Sequence, residues 1–441
     1  MNYNISSHKS YNLTDALLFL TGVLMPCQII TFKIIPLFVI PLLFIYIIKL
    51  WYRSNIRLNK VAVFLLSTHL ITFVLMLISN LPGSWKKASI IQSCLFFSIL
   101  FIMFMKFTTH ERGRIIKGLK YGILINLYWA IGQIVLYYIM KLDINDLIFT
   151  KLLKMREVSS SFNYQINQFS ASGLNWHPAQ LAPVIIFGFF ILEGYWNKIL
   201  IIVVAVLSTN TTCIISVFIF TFLLAIRAIW KVLKSGKITR KATIAMLAVV
   251  IVLFAIFLAI KNTSIFNYLF YRFESLLGRL YSAITRTGMN NSTSIHLSYY
   301  FSYPDIFANS GIMELLFGYG FECSGYPYEL MFRYNPDLPN WVVESDLINF
   351  IVGRGYIWTF GYYFIVIRTI IKGNKITYKY LMVVATLIIC GIFYNNHFLW
   401  VECLMFLIVE AVRQKEDLFA TVNKSFFATY ETVSLVLRKG E

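Results

Sequence analysis

Charge is scarce in this chain. Asp, Glu, Lys and Arg make up 13% of its 441 residues, against roughly 25% in an ordinary soluble domain. With 58% hydrophobic residues and a mean hydropathy of +0.70, this shortage excludes the water-soluble classes. The six cysteines form no Cys-x-x-Cys pair, which excludes a disulfide framework and a structural zinc site. Cys323 stands alone in a polar stretch, and the other five lie in or beside apolar runs as small hydrophobes. There is no Walker A loop, no Asp-x-Asp and no His-Glu-x-x-His, so neither a bound nucleotide nor a catalytic metal is expected. No repeat of 20–50 residues and no low-complexity tract occurs. The N-terminus lacks the basic region, short apolar core and small-residue cleavage site of a signal peptide, so an uncleaved first helix is expected.

What is present are apolar stretches near 20 residues along the whole length. About 20 helical residues cross the ~30 Å hydrocarbon core, and within lipid every backbone N–H and C=O must be satisfied internally. The runs are continuous rather than alternating, which predicts helices. Twelve spans are expected, near 13–31, 34–50, 61–79, 88–106, 120–140, 179–195, 198–208, 212–230, 242–260, 350–371, 379–394 and 397–412. The seventh is short, and Ser208–Thr212 separates it from the eighth, so the two could form a re-entrant pair.

Basic residues set the orientation. Lys49, Arg53, Arg57 and Lys60 follow span two. Lys106, Arg112, Arg114, Lys117 and Lys120 follow span four. Arg227, Lys231, Lys234, Lys237, Arg240 and Lys241 follow span eight, and Arg368, Lys372, Lys375 and Lys379 follow span ten. These connections all lie on one side, which is therefore cytoplasmic, and both termini join it. The net charge of +19 reads as a topology signal with anionic lipid as its neighbour, not as a nucleic-acid footprint. The expected organisation is an all-α polytopic membrane protein in one domain, 1–441. Two large loops, 141–178 and 261–349, lie on the non-cytoplasmic side, and an amphipathic tail, 413–441, lies along the cytoplasmic interface.

The rare polar chemistry gathers in those loops. "SGLNWHPA" (172–179) puts His177 at the lip of an apolar run. Pro178 suits a first helical turn and Asn175 could cap exposed amides; an interfacial cap with Trp176 as anchor accounts for the stretch as well as a ligand site does. "RFESLLGRLYSAITR" (272–286) spaces Arg272, Arg279 and Arg286 seven apart, on one helical face. That face would serve lipid headgroups or a substrate. The outer two are roughly 21 Å apart at 1.5 Å per residue, so one diphosphate could use at most two of them. "LFGYGFECSGY" (316–326) lacks the third Gly of a dinucleotide fingerprint and reads as a turn. "NWVVESDLINFIVGRGYIW" (340–358) places Glu344 and Asp346 at the entry to span ten, with Arg354 beyond. Asp346 fits an N-terminal cap; Glu344 lies too far ahead for that alone. "YNNHFLW" (394–400), with His397, reads as a polar hairpin.

This layout resembles the superfamily of O-antigen polymerases and O-antigen ligases, the Wzy-type membrane glycosyltransferases. Three segments carry the resemblance: "SGLNWHPAQLA" (172–182), "LFGYGF" (316–321) and "ESDLINFIVGRGYIWTFGYY" (344–363). Ligase-like members have a His at the place matching Glu344, which favours the polymerase side. The resemblance implies a cytoplasmic-membrane enzyme without a cofactor, whose two enlarged loops are periplasmic. Its donor would be a glycan on undecaprenyl diphosphate, its acceptor a sugar hydroxyl on the next lipid-linked repeat unit, and a chain-length regulator a candidate partner. Glu344 would be the base. Arg272, Arg279, Arg286 and Arg354 would hold diphosphate or sugar, and His177 and Asn175 would line the same cavity. A ligase and a lipid-linked oligosaccharide flippase remain as alternatives.

Overall fold

A computed structural model describes residues 4–32, 35–52, 60–103, 107–155, 162–163, 168–208, 210–235, 292–332, 343–372 and 377–416. The span expected at 242–260, the arginines Arg272, Arg279 and Arg286, and the tail beyond 416 lie outside the described residues. The described chain is mostly helical. Two of its helices are long and apolar enough to cross a membrane, Thr109–Met140 and the stretch Asp346–Ile371. Shorter apolar helices cover Leu13–Leu24, Val39–Trp51, Val63–Ile78, Pro178–Ile191, Tyr195–Leu207, Thr212–Leu223 and Lys379–Ile392. The chain groups into two compact units, residues 1–217 with 310–441, and residues 218–309.

In the first unit, α1 (Asn4–Leu24) stops two residues before Pro26, because a proline disfavours helical geometry in the residue ahead of it. The first span was expected to run to residue 31. Instead a short antiparallel hairpin, β1 (Thr31–Phe32) and β2 (Ile35–Pro36), links α1 to α2 (Val39–Tyr52). Helices α3 (Lys60–Ile78) and α4 (Gly83–Met103) follow.

The long α5 (Thr109–Met140) starts well before the expected span, since Thr108 and Glu111 form a reciprocal capping box that makes the basic segment helical. α1 lies tightly on α5: a Cβ at Gly22 would come within 2.0 Å of the Ile115 carbonyl, and one at Gly118 within 2.0 Å of the Phe19 carbonyl. Glycine is what such close backbone approach requires. Three basic residues at this end of α5 and α2 are paired. Lys49 bonds Glu111 at 2.9 Å, Arg114 bonds Asp15 at 3.1 Å, and fully buried Arg112 reaches Glu416 and Gln414.

After α5 come a π-helical turn (Asp146–Leu152) and two short paired strands, β3 (Phe162–Asn163) and β4 (Gln168–Phe169). Then follow a single 3-10 turn (Pro178–Gln180), α6 (Leu181–Ile191), α7 (Tyr195–Leu207) and the beginning of α8 (Thr211–Ser235). Asn210 Oδ1 accepts the Thr212 and Cys213 amides, so the polar 208–212 stretch acts as a helix cap.

In the second unit the described elements are the remainder of α8 and α9 (Ser292–Asn309), which carries Pro304 inside it. The first unit resumes with α10 (Ile312–Phe317), α11 (Tyr326–Phe332), α12 (Asp346–Lys372), α13 (Thr377–Phe393) and α14 (Leu399–Arg413). Cys323 is not in a polar setting. It is fully buried against Met76, Leu81 and Trp85, with its thiol on the Trp85 carbonyl at 3.6 Å.

Candidate functional site

The site begins with a break in α12. Gly355 sits at φ 77°, ψ 169°, outside helical geometry, so carbonyls just before it lose their partners one turn on. Buried groups of this kind must be re-satisfied locally. The loop after α10 does this: Tyr319 N–H donates to Val352 O at 2.8 Å and Gly320 N–H to Gly353 O at 3.0 Å. The approach is so close that a Cβ at Gly318 would meet the Gly353 carbonyl at 2.4 Å. Two segments that drew attention separately in the sequence, 316–321 and 344–363, are thus one backbone-bonded structure.

This pairing fixes Arg354, the last residue before the break. Its guanidinium carbon lies 4.5 Å from the Phe96 ring centre, 4.2 Å from Phe321, 4.3 Å from Phe350 and 4.2 Å from Trp358, a cage that holds a cation by cation–π attraction. Nη2 donates to Glu402 Oε1 at 2.8 Å. Arg354 is 6% exposed and Glu402 2%. Arg354 Nη1 and Glu402 Oε2 find no partner among the described residues.

Around this pair lies a cavity of about 330 Å³, at the lower end of the ~300–1,000 Å³ typical of small-molecule sites. Its walls include Glu322, Glu344, Asn349, Arg354, His397 and Glu402, with Trp176, Tyr394 and Phe398 among its aromatics. Carboxylates, amides and flat aromatic faces suit hydroxyl-rich ligands. Depth follows from the helices. Asn126 of α5 bonds the Pro26 carbonyl at 2.7 Å, at the loops that flank the cavity, and lies 14 positions from Arg112, or roughly 21 Å along the helix. The cavity therefore sits far from the paired basic end.

The expected site residues divide. Glu344 and Arg354 share the cavity wall. His177 lies behind the wall and does the capping once expected of Asn175. Its Nδ1 accepts the Ala179 amide at 3.2 Å, its ring stacks on Tyr394 at 5.6 Å, and the Tyr394 hydroxyl lies 3.3 Å from Nδ1. Burial pushes the imidazole down to about 4, so it is neutral and no cation for a phosphate. Asn175 is not on the wall. It is fully buried and donates to Ser172 O at 3.0 Å and Asn126 Oδ1 at 3.2 Å. Three residues too early to cap the Pro178 turn, it belongs to a polar network with Asn126, Asn145 and Gln133 that pins the 172–175 loop.

Three further groups were passed over or set aside in the sequence. Glu402 is an acid inside an apolar run, a signal that was readable. His397 looked like a hairpin residue, yet its Nδ1 is 2.9 Å from Asp346 Oδ2. Asp346 Oδ1 accepts the Asn396 and His397 amides at 2.8 and 3.0 Å. Asp346 therefore caps no amide of its own helix that these bonds describe; it holds the 394–398 turn across the site. Glu322 sits at φ 60°, a left-handed conformation uncommon for a side-chain-bearing residue and a mark of functional walls.

Burial raises the Glu344 carboxyl above its usual range, although its side chain is open to the cavity. Burial also pushes Glu322 up to about 7, with Arg354 opposing and Glu402 reinforcing the rise. A carboxyl raised in the folded state binds more protons than in the unfolded chain between 4.5 and about 7. Stability therefore falls as pH rises through that window. Melting of the detergent-solubilised protein should show that fall, and Glu322→Gln should flatten it; an unchanged slope in Glu322→Gln would remove Glu322 as the source.

No protein-family model matches the chain, and no curated protein is significantly similar to it.

Proposed function

We propose that this chain is a membrane glycosyltransferase that joins undecaprenyl-diphosphate-linked repeat units into a surface polysaccharide, as an O-antigen polymerase does. It would work at the periplasmic face of the bacterial inner membrane, with twelve spans and both termini in the cytoplasm. The observation that carries this reading is the cavity that brings a carboxylate, Glu344, together with a caged arginine, Arg354, between aromatic walls at the end remote from the basic connections. The chemistry demands these parts. The acceptor's hydroxyl oxygen attacks the donor's anomeric carbon, and the bond to the diphosphate breaks with its electron pair. A cationic donor of hydrogen bonds stabilises that leaving charge, and a basic side chain engages the weakly nucleophilic hydroxyl. Glu344 is assigned to the hydroxyl, and Arg354 to sugar or phosphate oxygens.

Glu344→Ala should leave the protein abundant in membranes while the surface glycan ladder collapses to single repeats. A normal long-chain ladder would remove the assignment. One feature favours a transporter as second reading: Arg354 of α12 and Glu402 in the first turn of α14 form a buried ion pair, and charges buried among apolar segments mark translocation paths. The deletion strain separates the two. Single repeats on surface acceptors mean lost polymerisation, and lipid-linked repeats trapped inside, with no surface glycan, mean lost transport. A ligase would leave polymer made but unattached.

A further inference from the structure

We infer that His397, oriented by Asp346, is the proton acceptor of this site; the inference rests on the polymerase reading and names the destination of the hydroxyl proton. Asp346 makes two bonds to turn amides and one to the ring. It is 1% exposed and His397 9%. Two of these bonds staple the turn. The third directs the imidazole: Nδ1 faces the carboxylate as the donor, and Nε2 is left as the basic nitrogen of a ring that lines the cavity. A carboxylate on one ring nitrogen fixes the tautomer and steadies the imidazolium that forms when the other takes a proton.

The surroundings hold the ring still. Phe350 and Tyr362 meet it edge-on at 5.3 and 5.9 Å, and Tyr363 at 6.3 Å. The charged groups facing it are Asp346 at the start of α12, Arg354 further along that helix, Glu402 on α14, and Glu322 and Glu344 across the cavity. His397 carries an orienting carboxylate on one ring nitrogen and lines the same cavity as Glu344, so the proton is assigned to His397 and the binding of the hydroxyl to Glu344. The step balances. The acceptor O–H breaks, its proton passes to His397 Nε2, the oxygen bonds the anomeric carbon, and the diphosphate departs with the electron pair. The imidazolium then returns the proton to water.

The test uses membrane vesicles from the producing strain, with its own lipid-linked repeat units and the full-length chain. His397→Gly should slow glycan extension by about 10²–10⁴-fold, the usual contribution of general base catalysis, and millimolar imidazole should restore part of the rate. Glu344→Ala should gain nothing from imidazole. Asp346→Asn should slow extension in the presence of His397 and add little in its absence, as for a residue acting through the ring. His397→Gln, which keeps an N–H toward Asp346, checks that the turn survives. Near-wild-type extension by His397→Gly, or a loss that imidazole leaves untouched, overturns the proposal. So does absence of both His397 variants from the membrane, since that gives the pair a purely structural role. Wild-type vesicles that extend no glycan strike the polymerase reading itself and not the assignment of the base alone.

Discussion

Gly355→Ala should remove most of the protein from membranes. The residue holds φ 77° and ψ 169°, a region open essentially to glycine alone, where another residue is strained by about 1–3 kcal/mol. Space is the second obstacle. An added Cβ would lie 2.3 Å from the Leu316 carbonyl oxygen and 2.4 Å from the Phe317 nitrogen. Both are backbone atoms, so no rotamer change relieves the overlap. Relief requires α10 to withdraw, and that breaks the two amide bonds from Tyr319 and Gly320 that satisfy the interrupted helix. Each buried carbonyl left without a donor adds about 1–3 kcal/mol. The sum approaches the whole stability of an ordinary domain, ~5–15 kcal/mol. Gly132→Ala is the control, because a Cβ there meets nothing within 4 Å and alanine favours the helix. Quantitative immunoblots of membrane fractions should show Gly132→Ala at wild-type level and Gly355→Ala nearly absent. Equal abundance of the two would mean that the break is not needed for folding.

How much of this was legible beforehand depends on which physical rule governed each residue. Apolar runs are local signals, and most helices described over them fall close to the expected positions, whereas α9, α10 and α11 lie within the stretch 261–349 that was read as a loop. The errors are equally local. Pro26 ended α1 early, and the Thr108–Glu111 capping box lengthened α5. Side-chain roles behaved differently. Glu344 and Arg354, chosen because charge beside an apolar run is costly, share a cavity wall. His177 and Asn175 were placed by proximity to a helix start, and the structure exchanges their duties: the histidine caps, and the asparagine bonds backward into a network with α5. Asp346 and His397 are 51 positions apart. Taken singly, one looks like a cap and the other like a turn residue. Only the return of α13 and α14 brings them together, and no spacing along the chain encodes that. Glu402 was legible and was overlooked, since a lone acid within "WVECLMF" calls for a partner.

Removing that partner gives the second large effect. Arg354→Ala leaves Glu402 buried without its cation, and breaking a buried ion pair from one side costs about 3–5 kcal/mol. It also empties the space among Phe96, Phe321, Phe350 and Trp358, which large-to-small substitution penalises further. Membrane abundance should fall sharply. Glu402→Leu alone should fall comparably, because the guanidinium then keeps its aromatic cage but loses its countercharge. The double variant Arg354→Met, Glu402→Leu should recover much of the abundance, since apolar side chains of similar volume often replace a buried pair without loss. It should still make no long-chain glycan, because the cavity has lost its arginine and a wall carboxylate together. Abundance restored without activity would separate what the pair does for folding from what it does at the site. Restored abundance together with a normal glycan ladder would show that the pair serves only to hold α12 against α14, and Arg354 would lose its place among the substrate ligands.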